Sequence, residues 1–115
     1  MSTIAPEKVG QLVEVIQRAA YETASKFFQE KLGGQDRYAC GFAWVDIYGV
    51  RSNSKLGKAL IAAGFQKSDT RKSLYLWNPS KFPCQNVDTL EAGAYEAAKL
   101  FTAAGFRAYA GSRLD

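Results

Sequence analysis

Three observations on the 115-residue chain predict a single α+β domain. An eight-residue pattern occurs twice, as Lys58-Ala59-Leu60-Ile61-Ala62-Ala63-Gly64-Phe65 and as Lys99-Leu100-Phe101-Thr102-Ala103-Ala104-Gly105-Phe106. Each copy reads as the end of an apolar-faced helix, stopped by a glycine that accepts the left-handed backbone of a C-cap. Each copy precedes a short aromatic stretch, Ser73-Leu74-Tyr75-Leu76-Trp77 or Ala108-Tyr109-Ala110, which makes two helix-to-strand units. A long helical periodicity at the amino-terminal end and an apolar run near the middle complete the order α-β-α-β-α-β. That order implies about three strands in one layer with helices packed on it. The length suffices for one core without disulfides or a structural metal. The domain is expected to span 1–115, with the long helix within 1–34 and the sheet and its two helix-to-strand units within 37–115.

The first element is an amphipathic helix from about Pro6 to Leu32. Val9, Leu12, Val13, Ile16, Ala20, Ala24, Phe27 and Phe28 recur at helical spacing, and charged residues fill much of the remainder. Pro6 suits a first turn, and Gly33-Gly34 supplies the stop. The apolar stripe packs on the domain's own sheet or serves as a dimerisation face. After a turn at Gly34-Gln35-Asp36-Arg37, the run from Tyr38 to Val50 is apolar on both alternating faces, as in a central strand covered on both sides. Cys40 reads as a small core residue of this strand. Asp46 is the one charge in the run, facing a cleft or pairing with a basic neighbour.

Gly49-Val50-Arg51-Ser52-Asn53-Ser54-Lys55-Leu56-Gly57-Lys58 is the leading ligand-loop candidate. Asn53 or Ser54 can cap the next helix, whose first amides attract an anion, and Arg51 and Lys55 add charge. The same atoms also make an ordinary capped strand-to-helix connection. The spacing from Gly49 to Gly57-Lys58 and the Ala59 that follows exclude a phosphate-binding P-loop. A polar linker from Gln66 to Lys72 leads to the strand Ser73–Trp77. There Tyr75 and Trp77 share a face beside Lys67, Arg71 and Lys72, the arrangement that stacks a base above a charged groove or simply finishes a core. The proline-containing stretch from Asn78 to Val87 reads as a loop. Asp88 and Glu91 then form a capping box for a helix carrying Leu90, Ala94, Tyr95, Ala98 and Phe101. The chain closes on a basic, aromatic segment from Phe106 to Asp115.

Histidine is absent, which removes the commonest general base and metal ligand. Cys40 and Cys84 are too few to form a zinc pattern. An acid–base pair of Asp46 with Lys55 or Tyr75 has no geometry a sequence can supply, so a non-enzymatic role without metal or cofactor is expected. The net charge of +4 divides into −1 over residues 1–50 and +5 over 51–115, which favours an anionic partner. The ligand-binding candidates are Arg51, Asn53, Ser54 and Lys55 in the loop, Tyr75, Trp77 and Asn78 on the strand and at its end, Gln85 and Asn86 in the proline loop, and Tyr109, Ser112 and Arg113 at the close. No apolar run approaches the ~20 residues of a membrane helix. The amino-terminal stretch also lacks the basic start and apolar core of a secretory signal, so a cytoplasmic location is expected.

The blocks Cys40-Gly41-Phe42-Ala43-Trp44-Val45, Gly49-Val50 with Asn53-Ser54-Lys55-Leu56-Gly57, Leu76-Trp77-Asn78-Pro79, Gln85-Asn86 and Tyr109-Ala110-Gly111-Ser112-Arg113-Leu114-Asp115 resemble a family of short uncharacterised proteins encoded by tailed bacteriophages and prophages. The resemblance covers about residues 37–115. It implies an accessory role in the cytoplasm of a host bacterium, in which such proteins bind host or defence components, and an anti-defence inhibitor or nucleotide sponge fits that setting. Two functions follow as expectations. One is a binding protein for an anionic ligand, a nucleotide or nucleic acid, held on a basic and aromatic face. The other is a protein-interaction module, as a homodimer or on a host protein, that uses the first helix or the aromatic face.

Overall fold

A computed structural model describes residues 4–36 and 38–115; residues 1–3 and Arg37, read above as part of the amino-terminal stretch and of the turn before the first strand, lie outside the described residues. In it both copies of the repeated segment end a helix alike. Gly64 and Gly105 take positive φ. The amide of Phe65 donates to Leu60 O at 3.0 Å and that of Phe106 to Phe101 O at 3.1 Å. These are the six-to-one bonds of a Schellman cap, and each leaves a phenylalanine folded back over its helix. The two caps converge: Phe101 meets Phe65 at 5.5 Å and Phe106 at 6.0 Å between ring centroids, both edge-on.

After a 3-10 turn at Pro6–Lys8, the elements are α1 (Val9–Leu32), β1 (Gly41–Tyr48), α2 (Lys55–Ala62), β2 (Gln66–Ser68), β3 (Ser73–Trp77), α3 (Val87–Ala103) and β4 (Arg107–Leu114). The fold is α+β, with four strands among the described residues rather than about three. The added strand is Gln66–Ser68, read from its polarity as a linker. Polarity is what a short edge strand tolerates, because its pairing with β3 runs through backbone groups while its outer side meets water. The spatial order β2-β3-β1-β4 is antiparallel throughout. With α2 and α3 as crossovers this is the split βαβ arrangement, preceded here by one extra helix.

The helices lie on one face of the sheet. Ala43, Val45 and Ile47 of β1, Leu74 and Leu76 of β3 and Ala108 of β4 point into a core shared with α2 and α3. The stripe of α1, Val9, Val13, Ile16, Ala20 and Ala24, is buried within the same chain. Its main neighbour is α3 rather than the sheet, because the alanine-rich α3 is slim enough to fit between α1 and the strands. The amino-terminal cap of α3 also falls earlier than the Asp88/Glu91 box. The Asn86 carboxamide oxygen accepts from Thr89 N at 2.8 Å and Thr89 Oγ1 at 2.9 Å. Asp36 in turn fixes the preceding backbone, accepting from Gln85 N and Asn86 N. Cys40, read as a core residue, is exposed at the mouth of β1, whereas Cys84 is half-buried. Burial pushes the Cys84 thiol above its ordinary pKa. Among the described residues no helix is long and apolar enough to cross a membrane.

Candidate functional site

Alternation along the strands builds the other face of the sheet. With Ala43, Val45 and Ile47 committed to the helices, the pleat sends Phe42, Trp44, Asp46 and Tyr48 to the opposite side. By the same parity β3 contributes Ser73, Tyr75 and Trp77, and β4 contributes Arg107, Tyr109, Gly111 and Arg113. Register sets Trp44 between Trp77 and Gly111, Asp46 between Tyr75 and Tyr109, Phe42 beside Arg113 and Tyr48 beside Arg107. Among the described residues no helix packs on this face. The expectation of a β1 covered on both sides is therefore corrected. Its second set of large side chains forms a half-buried aromatic surface instead.

The surface is ordered around one carboxylate. Asp46 is only 6% exposed, and it accepts from Trp44 Nε1 at 2.9 Å, Arg71 Nε at 3.0 Å and Ser73 Oγ at 2.8 Å. The Arg71 guanidinium, held by that ion pair, lies 5.2 Å from the ring centroids of both Trp44 and Tyr75. The Trp44 and Trp77 indoles are parallel within 1° at 5.8 Å, and Phe42 continues the row 5.3 Å from Trp77. Arg113 covers Phe42 at 5.4 Å. Tyr48 and Tyr109 form a second aromatic pair farther along β1 and β4. Trp77 and Tyr109 are 43% and 57% exposed, so ring faces reach solvent beside fixed cations.

Gly111 lets this row lie flat. A Cβ there would stand 2.6 Å from Trp44 Cε2 and 2.7 Å from Nε1, so an added methyl must lift the indole off β4 and break its bond to Asp46. Gly111→Ala is expected to cost about 1–3 kcal/mol in urea unfolding and to change the near-ultraviolet circular dichroism of tryptophan. Unaltered values of both would show that the indole is not seated as described.

Two grooves border this surface. One of about 410 Å³ lies over the aromatic row, with Trp44, Tyr75, Trp77, Arg71 and Arg113 in its wall. The other, about 760 Å³, lies between the loop Gly49–Asn53 and the β2–β3 hairpin, and carries Arg51, Lys67 and Lys72 against Asp69. Lys67, Ser68 and Asp69 line both.

The structure thus brings Tyr75, Trp77 and Arg113 to one groove and Arg51 and Asn53 to its neighbour, with Tyr109 on the same face. The other candidates stand elsewhere. Ser54 is the amino-terminal cap of α2, accepting from Gly57 N at 3.0 Å and donating to Arg51 O at 2.7 Å, so its hydroxyl is already engaged. Lys55 is exposed on the first turn of α2, outside both grooves. Asn78 is a turn residue at φ 44° whose side chain accepts from Ser80 Oγ. Gln85 is exposed at the mouth of β1, its carbonyl accepting from the Cys40 thiol. Asn86 is wholly buried as the cap of α3 and is withdrawn from the candidates. Ser112 is withdrawn too, because it points to the helical side and donates to the Glu91 carboxylate. Phe42, Trp44, Tyr48 and Arg107 went unselected, although the contrast between large residues at even positions of β1 and small or β-branched ones at odd positions marks a two-faced strand. Among the described residues no group of three or more Cys, Asp or Glu is placed to hold a metal ion. Comparison of the chain with protein-family models, curated proteins and solved structures gave no match.

Proposed function

We propose that this protein binds single-stranded nucleic acid, without catalysis, on the open face of its sheet. The observation that carries this is the helix-free row Phe42–Trp77–Trp44, flanked by arginines whose positions are set by Asp46 and by the rings themselves. Every base offers a π-face, so exposed rings beside cations form a platform that tolerates sequence while the cations meet phosphate. A duplex, with its bases already stacked inward, gains nothing from such a platform. The Asp46 carboxylate already accepts from three donors, one of them its arginine partner, which suits it to orient its neighbours. Less supports a homodimer or a host-protein complex built on α1, because the stripe that would serve it is buried in the protomer. The resemblance to bacteriophage proteins supplies the setting, nucleic acid in the cytoplasm of an infected bacterium.

Fluorescence anisotropy with labelled single-stranded DNA and RNA dodecanucleotides at low salt tests this. The wild type is expected to saturate, with log affinity falling against log salt by about 0.7 for each phosphate contacted. Trp77→Ala is expected to weaken binding by about 1–3 kcal/mol, roughly five- to 150-fold, with little change in the thermal midpoint because the ring is half in solvent. The absence of saturable binding to either polymer would overturn the proposal.

A further inference from the structure

We infer that the two grooves form one continuous track, with bases taken over the aromatic row and backbone phosphates drawn into the cationic groove, so that the ligand is a strand of several nucleotides rather than a mononucleotide. This rests on the nucleic-acid function proposed above and narrows its ligand. Lys67, Ser68 and Asp69 are common to both walls, so the two grooves adjoin at the end of the edge strand β2 and the turn that follows it. Their chemistry differs. The larger groove is lined by no aromatic ring, and carries Arg51, Lys67 and Lys72 against the single carboxylate of Asp69. It offers charge and hydrogen-bond donors but nothing to stack a base. The smaller groove holds Trp44, Tyr75 and Trp77. From Trp44 to Gly49, the first residue past β1 and the start of the loop that walls the cationic groove, the chain covers about 17 Å at ~3.3 Å per residue. That equals roughly five nucleotides at a 3.4 Å rise. A single nucleotide stacked on the indoles therefore leaves Arg51 and Lys72, which line the larger groove alone, unused.

The test measures affinity by anisotropy competition for a mononucleotide, a trinucleotide and a dodecanucleotide of the same base, with wild type and the double variant Arg51→Gln/Lys72→Gln. Both replaced side chains are exposed or on the groove wall, and far-ultraviolet circular dichroism checks the fold. The wild type is expected to gain affinity from mononucleotide to trinucleotide to dodecanucleotide. The double variant should match wild type on the trinucleotide, lose most of the further gain, and show a salt slope on the dodecanucleotide shallower by about 1.4, two contacts at about 0.7 each. Equal weakening on the short and long ligands would overturn the track, since the cations would then act as a general field. Unchanged dodecanucleotide binding by the variant, or a mononucleotide that binds as tightly as the dodecanucleotide, would also overturn it while leaving the proposed function intact. Failure of the wild type to bind any oligonucleotide would remove both.

Discussion

Phe101→Ala is expected to lower the free energy of unfolding by about 3–5 kcal/mol, a large share of the stability of a domain this size. The ring is fully buried. It is also the point at which the two helix ends meet, standing edge-on to Phe65 from one cap and to Phe106 from the other. Removing it leaves a cavity between two rings whose backbones are pinned by the Schellman bonds, so the site has little freedom to collapse, and the cost belongs at the upper end of the range. Urea unfolding followed by circular dichroism measures it, and an unchanged m-value would show that the loss lies in the native core. A loss below about 1 kcal/mol would mean that the caps do not anchor the core. Phe65→Ala serves as comparison, since it opens one cap contact and leaves Phe101 paired with Phe106.

That cluster also explains why the architecture was legible in the residues. The repeated Ala-Ala-Gly-Phe endings state both a stop and a return, and the return brings each following segment back onto the helix it has left. The misses have the opposite character. Gln66–Ser68 carries no apolar alternation, because at an edge the ladder depends on β3 and not on side chains. The cap of α3 moved to Asn86 because the 85–86 backbone is held from a distance by Asp36, a contact about 50 residues away in sequence that local propensity does not encode. The face of β1 was obscured by composition, since Phe42, Trp44 and Tyr48 count as apolar whether covered by a helix or packed against one another. Only strand order, which sets Trp77 on one side of Trp44 and Gly111 on the other, shows which applies. Of the candidate site, Tyr75, Trp77 and Arg113 were visible as residue types beside charge. The part of Arg71 was not, because it depends on an ion pair to β1 that crosses β3.

Asp46→Ala is expected to damage the binding face more than the loss of any single ring, while the chain remains folded. Three donors lose their acceptor together. Ser73 Oγ is buried and Trp44 Nε1 is partly so, and leaving such donors unsatisfied costs about 1–3 kcal/mol each where water does not reach them. The Arg71 side chain is 36% exposed, so solvent recovers much of its charge and the ion pair adds little to that sum. A net loss of about 2–4 kcal/mol follows, below the reserve of an ordinary domain. Binding falls for a separate reason. Without the carboxylate the guanidinium has no fixed place over Trp44 and Tyr75, and the indole is free to leave its parallel setting against Trp77. Stacking energy and a positioned cation are then lost together, a weakening expected to exceed that of Trp77→Ala in the same anisotropy assay. Asp46→Asn separates shape from charge. It keeps one accepting oxygen but turns an amide N–H₂ toward one of the three donors, so both stability and affinity should fall between wild type and alanine. Affinity that stays at the wild-type level in a destabilised Asp46→Ala would show that the carboxylate serves the fold alone. A double-mutant cycle with Arg71→Ala then decides how the effect is shared. If Asp46 acts by holding Arg71, the two substitutions together should weaken binding little more than Asp46→Ala does, since the second removes a cation the first has already set loose.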